Sequence, residues 1–256
     1  MTISKNYGTA VKKFHESSNL PLAICLLRLT IYILFGFYKD QFMKTAVFGG
    51  TFDPVHLGHT GLAKAVLERG YADRVLFVPA ALPPHKDGEL VTPFEIRLEL
   101  LRAALGKQSG FQLDPIESER DGKSYTIDTM RLLSARHPGV EFLLLIGTDS
   151  LRTLHLWHQA GELAEEFRCL IYPRRSAPAE DHELLKHWPR EQVEIFRKSR
   201  MTGMPEFSCS SSEIREALIS GHPEEAEQRL DPAVFRIIRE KGIYHGTADN
   251  QKQSGD

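Results

Sequence analysis

The segment Gly49-Gly50-Thr51-Phe52-Asp53-Pro54-Val55-His56-Leu57-Gly58-His59 joins the apolar run Thr45-Ala46-Val47-Phe48 to the stretch Leu62-Ala63-Lys64-Ala65-Val66-Leu67. A short apolar run ended by paired glycines and followed by apolar residues at helical spacing reads as strand, turn, helix. The start of such a helix exposes free backbone N–H groups at the positive end of its dipole, which makes it an anion site. Gly49 and Gly50 allow a phosphate to approach the backbone without a Cβ in the way. His56 and His59 lie three residues apart, so both can face one ligand. Neither standard nucleotide fingerprint is present: no G-x-G-x-x-G follows a strand, and no G-x-x-x-x-G-K-[ST] occurs. Asp53, His56 and His59 are also metal-ligand types, so a metal reading stays open from the residues alone.

The pattern repeats along the chain. Apolar runs at 45–48, 75–79, 111–113, 142–146, 168–172 and 193–196 are strand candidates. Between them, Ile96, Leu100, Leu101 and Ala104, then Ile127, Met130 and Leu133, then Leu151, Leu154 and Trp157 follow helical spacing. Strands alternating with helices predict an α/β fold, a doubly wound parallel sheet with helices on both faces. Ligands in such sheets bind at the carboxyl ends of strands, which is where 49–59, 79–86 and 147–149 fall. The C-terminal part reads as helical: Ser210 is placed as a cap with Glu213 at the capping-box position, and a second helix over 233–241 stops at Gly242.

Composition limits the function classes. The chain has 256 residues, a formal net charge of −2 and three cysteines. That charge gives no support to bulk nucleic-acid binding. Cys25, Cys169 and Cys209 are far apart and lack a C-x-x-C spacing, so they imply neither a disulfide framework nor a zinc site, and a reducing cytoplasm is expected. Residues 1–42 differ from the rest: 20–38 is almost continuously apolar around Arg28. The leading expectation is a start called too early, with Met43 the true one; a membrane anchor or an added packed element are the alternatives. The expected organisation is an extension over 1–42, a folded domain over 43–245 and a disordered polar tail over 246–256.

The motif Gly-Gly-Thr-Phe-Asp-Pro-x-His-x-Gly-His resembles the H-x-G-H signature of the nucleotidyltransferase superfamily, and of its nicotinate-nucleotide adenylyltransferase family in particular. Pro83-Pro84-His85-Lys86, Ser124-Tyr125-Thr126-Ile127-Asp128-Thr129, Ile146-Gly147-Thr148-Asp149 with Trp157 downstream, and Ser210-Ser211-Ser212-Glu213-Ile214-Arg215 resemble further motifs of that family in the same order. The resemblance implies a Rossmann-like nucleotidyltransferase fold with a helical C-terminal part. It implies adenylyl transfer from ATP to nicotinate mononucleotide, with Mg²⁺ carried on the ATP phosphates rather than in a protein cage.

By the same resemblance His56, His59, Lys86 and Arg215 are catalytic. ATP would meet Gly49, Gly50, Thr51, Phe52, Gly147, Asp149, Arg174, Ser211 and Ser212 as well. The mononucleotide would meet Thr51, Lys86, Tyr125, Thr126 and Trp157. Trp157 would stack on the pyridine ring, and Thr126 would cap a helix facing the pyridine carboxylate. Asp149 would accept from a ribose hydroxyl, cap the following helix, or both. Arg175 and Cys209 depart from the family pattern, where a proline and an aliphatic residue are usual. Competing readings are transfer to nicotinamide mononucleotide or phosphopantetheine, or a non-catalytic nucleotide-binding module. The expected partners are small molecules, with no nucleic acid and no membrane unless 20–38 is a real anchor; assembly of identical chains is compatible with all of these.

Overall fold

The computed structural model describes residues 43–83, 91–174 and 176–244. The expectations for 1–42 and 246–256, and for Lys86 and Arg175, lie outside the described residues.

Five parallel strands form one sheet: β1 (Met43–Gly50), β2 (Arg74–Pro79), β3 (Phe111–Leu113), β4 (Val140–Gly147) and β5 (Cys169–Tyr172). Their order is β3-β2-β1-β4-β5. The chain therefore winds outward from β1 on one side, then crosses back to start again beside it. Val47 of β1 registers with Leu76 of β2 and Leu144 of β4. The strands read as unbroken apolar runs because both faces of the sheet are covered.

Alternate residues supply two cores. Ala46, Val75, Phe77 and Leu145 pack with α1 (Leu57–Glu68), α2 (Phe94–Leu105), α8 (Ser211–Ile219), α9 (Pro223–Glu227) and α10 (Pro232–Lys241). Val47, Leu76, Leu144 and Ile146 pack with α3 (Thr126–Arg136), α4 (Thr148–Thr153), α5 (Ala160–Glu166), α6 (Asp181–Leu184) and α7 (Arg190–Lys198). The period of two in each strand separates these layers.

Two expectations are corrected here. The run 193–196 is not a strand; it lies in α7. Val193 and Phe196 are both buried while Ile195 is exposed, a spacing of three that a strand cannot put on one face. Pro189 opens this helix from an extended backbone. The second difference is at Leu154, where α4 has already ended and a 3-10 turn carries the chain on to Trp157. No helix among the described residues is long and apolar enough to cross a membrane.

Phe196, packed edge-on against Trp188 at 5.2 Å between ring centroids, anchors α7. Phe196→Ala is expected to lower stability by about 3–5 kcal/mol in urea unfolding, through lost burial and an unfilled cavity. Ile195→Asp is expected to cost less than about 1 kcal/mol, whereas in a strand Ile195 would share the face of buried Val193 and the same change would be severe.

Candidate active site

The strand order reverses between β1 and β4, and the crevice at their carboxyl ends collects the sequence motifs. The turn from β1 into α1 is irregular yet largely buried. Phe52 has a left-handed φ of 49° and packs on Phe48 and Phe77. A Cβ on Gly50 would stand 3.2 Å from the Phe52 ring, which explains the second glycine. Among the described residues nothing approaches a Cβ on Gly49 within 4 Å, so that glycine faces open space.

His56 precedes α1 in extended backbone, and His59 sits one turn in. Their rings stack at 3.7 Å between centroids. A Cβ on Gly58 would meet the His56 ring at 3.0 Å and the Cβ of Cys209 at 3.2 Å, so the glycine between the two histidines is required by packing. His59 rests against Phe52 at 5.0 Å and Phe48 at 5.7 Å. Its Nδ1 accepts from the His56 backbone N–H at 3.2 Å, which puts the proton of a neutral ring on Nε2. Burial, then the charge of Arg174, pushes the His56 pKa down to about 4. Burial, then His56 and Arg174, holds His59 well below the ordinary range. Both rings are thus neutral at pH 7.

Arg174 follows β5. Its backbone N–H donates to Thr148 Oγ1 at 2.9 Å, tying the ends of β4 and β5 together. Its Nε lies 3.3 Å from Asp149 Oδ1. That carboxylate would overlap any Cβ on Gly147, which accounts for glycine there. Asp149 does not cap α4; Gly147 holds the cap position and Asp149 lies in the first turn, where its charge meets the helix dipole and Arg174.

Across the crevice, Ser210 caps α8 by accepting from the Glu213 N–H at 3.1 Å. The Glu213 carboxylate turns outward to Arg229 at 3.2 Å rather than closing a capping box. Ser211 Oγ donates to the Pro54 carbonyl at 2.9 Å. Arg215, the fifth residue of the helix, donates through Nη1 to the Asp53 carbonyl at 2.6 Å and lies 3.4 Å from Ser212 Oγ. These contacts bring Arg215 against the histidine turn from 162 residues away. A cavity of about 790 Å³ opens beside them, lined by Arg174, Phe207, Cys209, Ser210 and Glu213 among others.

The motif at Ser124–Thr126 lies against the loop after β2. Ser124 Oγ accepts from the N–H groups of Ala81 and Leu82, both at 3.1 Å, and so pins this segment to the loop after β2. Tyr125 stacks on His158 at 4.2 Å. Thr126 is the first helical residue and not the cap; Tyr125 occupies that position with no side-chain cap bond. The expected capping by Thr126 is therefore wrong, because the extended backbone ends one residue earlier. Trp157 is half-buried and packs on the second core.

Two of the three residues of the metal alternative are engaged elsewhere. Asp53 is buried, and its carboxylate accepts from the Thr92 N–H at 3.3 Å and the Tyr244 hydroxyl at 2.5 Å. His59 Nδ1 is also engaged. Among the described residues no group of three His, Cys, Asp or Glu side chains is arranged to hold a metal. Sequence reasoning missed Arg97, which is 1% exposed and donates to the carbonyls of Thr51 and Thr92, each at 2.8 Å. The signal was available: Arg97 lies on the apolar face of α2 with Leu100, Leu101 and Ala104, a costly place for a cation without acceptors. Tyr244 carried no comparable signal.

The chain matches the cytidylyltransferase-like family model over residues 47–217. A probable nicotinate-nucleotide adenylyltransferase of Geobacillus thermodenitrificans is 38% identical over 202 residues, covering 78% of this chain and 86% of its own. The nicotinate-nucleotide adenylyltransferase of Bacillus subtilis is 33% identical over 201 residues, covering 78% and 98%. Among solved structures, Plasmodium falciparum nicotinic acid mononucleotide adenylyltransferase complexed with NaAD has the same fold, with a TM-score of 0.64 at 18% identity over 78% of this chain and 97% of that one.

The depressed histidine pKa values set a pH dependence. In the window from 6.5 down to about 4 the unfolded chain binds a proton at His56 that the folded chain refuses, so stability falls as pH falls. His56→Gln is expected to flatten this slope by up to about 1.4 kcal/mol per pH unit between pH 6 and 5, measured by urea unfolding. An unchanged slope would count against a neutral, desolvated His56.

Proposed function

Since the chain belongs to the nicotinate-nucleotide adenylyltransferase family, within the cytidylyltransferase-like proteins, we propose that it transfers the adenylyl group of ATP to nicotinate mononucleotide, a step of NAD biosynthesis. A phosphate oxygen of the mononucleotide attacks the α-phosphorus, the bond from that phosphorus to the bridging oxygen of the β-phosphate breaks, and pyrophosphate leaves. The products are nicotinate adenine dinucleotide and pyrophosphate. The attacking oxygen is already anionic, since a phosphate monoester has a second pKa of about 6. No side-chain base is needed, and the barrier is one of alignment and charge stabilisation.

The observation that carries this reading is the meeting of the two stacked neutral histidines with Arg174 and Arg215 at the sheet's switch point. His56 and His59 donate hydrogen bonds to the triphosphate, His59 through Nε2–H. Arg215, with the start of α8 at Ser211 and Ser212, receives the charge that builds on departing pyrophosphate. Gly49 and Gly50 admit the phosphates beside β1, with Thr51 and Phe52 offering backbone N–H groups. Gly147, Asp149 and Arg174 form the nucleoside side of the crevice. Mg²⁺ enters as part of the MgATP substrate, held by phosphate and water. Tyr125, Thr126 and Trp157 form the pyridine side; Lys86, assigned by its family motif alone, would add positive charge for the phosphates.

Pyrophosphate release measured with ATP and each of nicotinate mononucleotide, nicotinamide mononucleotide and phosphopantetheine tests the assignment. Turnover is expected to be fastest with the nicotinate compound, and turnover with phosphopantetheine alone would reject it. His59→Ala is expected to lower kcat/KM by about 10²–10³ in a chain that stays folded at the assay temperature, as for loss of a preorganised donor. A rate equal to wild type would remove His59 from this role.

A further inference from the structure

Tyr244 lies just beyond α10, 191 residues from the carboxylate it contacts. Resting on the reading above, we infer that Tyr244 is a positioning residue: its hydroxyl fixes Asp53, and the Asp53 carbonyl in turn aims Arg215 at the nucleotide. Asp53 is 2% exposed and is held at three points. One carboxylate oxygen accepts from the Tyr244 hydroxyl at 2.5 Å, the other from the Thr92 N–H, and its backbone carbonyl receives Arg215 Nη1 at 2.6 Å. The side chain and the carbonyl belong to one rigid turn, so a change at the carboxylate is felt at the guanidinium.

The backbone is shaped for this contact. Gly242 and Tyr244 both have a left-handed φ of 62° and bend the chain back after α10. For a tyrosine that conformation costs about 1 kcal/mol, which marks a contact that over-determines it. Lys241 also pairs with Glu99 of α2 at 3.2 Å, holding the end of α10 in place. Burial, then the bond to Asp53, raises the phenol's pKa, so it remains a donor throughout the working range. Tyr244→Phe would keep the ring and remove only this donor. Asp53 would then face the buried Arg97 without its lateral anchor, and the 53–54 turn would gain freedom where Arg215 and Ser211 bind it.

The test is a double-mutant cycle on the full chain, reading the MgATP dissociation constant by calorimetry together with the thermal midpoint. Tyr244→Phe is expected to weaken MgATP binding about tenfold with Arg215 present, and less than twofold in the Arg215→Ala background, because the two residues act in series. A residue that only stabilises the fold would give equal losses in both backgrounds. Equal losses, no loss with Arg215 present, or a Tyr244→Phe chain unfolded at the assay temperature would each overturn the inference. The cycle needs no acceptor, so absent turnover with nicotinate mononucleotide rejects the proposed reaction and leaves Tyr244 to be decided by binding; a wild-type chain that binds no MgATP rejects both.

Discussion

The turn between β1 and α1 is buried without being regular, and the rest of the site depends on how its backbone is satisfied. A carbonyl inside a strand or helix has a partner by construction; one in a buried turn must find a donor elsewhere or lose hydration without return. Thr51, Asp53 and Pro54 find theirs in Arg97, Arg215 and Ser211. These donors come from α2 and α8, so the histidine turn cannot take its shape until both halves of the chain have folded onto β1. Two of them, Arg215 and Ser211, also belong to the nucleotide site we propose. The same hydrogen bonds thus hold the fold and set the site.

Electrostatic tasks are divided within this frame. His59 rests on Phe48 and Phe52, His56 stacks on His59, and both keep neutral rings, which can donate hydrogen bonds without adding to the charge of Arg174 nearby. Positive charge is left to guanidinium groups, which stay protonated when partly buried and present a planar fork to phosphate oxygens. Arg174 is held by Asp149 and Thr148, and Arg215 by Asp53. Each is oriented before a ligand arrives, which limits the reorganisation needed when charge develops.

Much of this was legible in the chain. The glycine pair, the two histidines and the following helix are local, and the structure keeps them in the expected order. Of the six strand candidates, three are longer in the structure by a few residues, 168–172 begins one residue later, and 111–113 agrees outright. The run at 193–196 misled because a four-residue apolar stretch carries no period; burial of Val193 with Phe196 and exposure of Ile195 decide for a helix. Thr126 was expected to cap α3, and capping α4 was one of two roles open to Asp149, but a cap is a backbone conformation, and Tyr125 and Gly147 adopt it.

By itself, then, the sequence determined a parallel α/β sheet and the family of its site, because periodicity, turn residues and short motifs act over a few positions. Only the tertiary structure decided that Asp53 anchors the turn, that buried Arg97 supports it, and that Tyr244 reaches back across 191 residues to Asp53. Those contacts join residues with no pattern in common. Their partners are chosen by which unsatisfied donors and acceptors the closed fold places within hydrogen-bond reach.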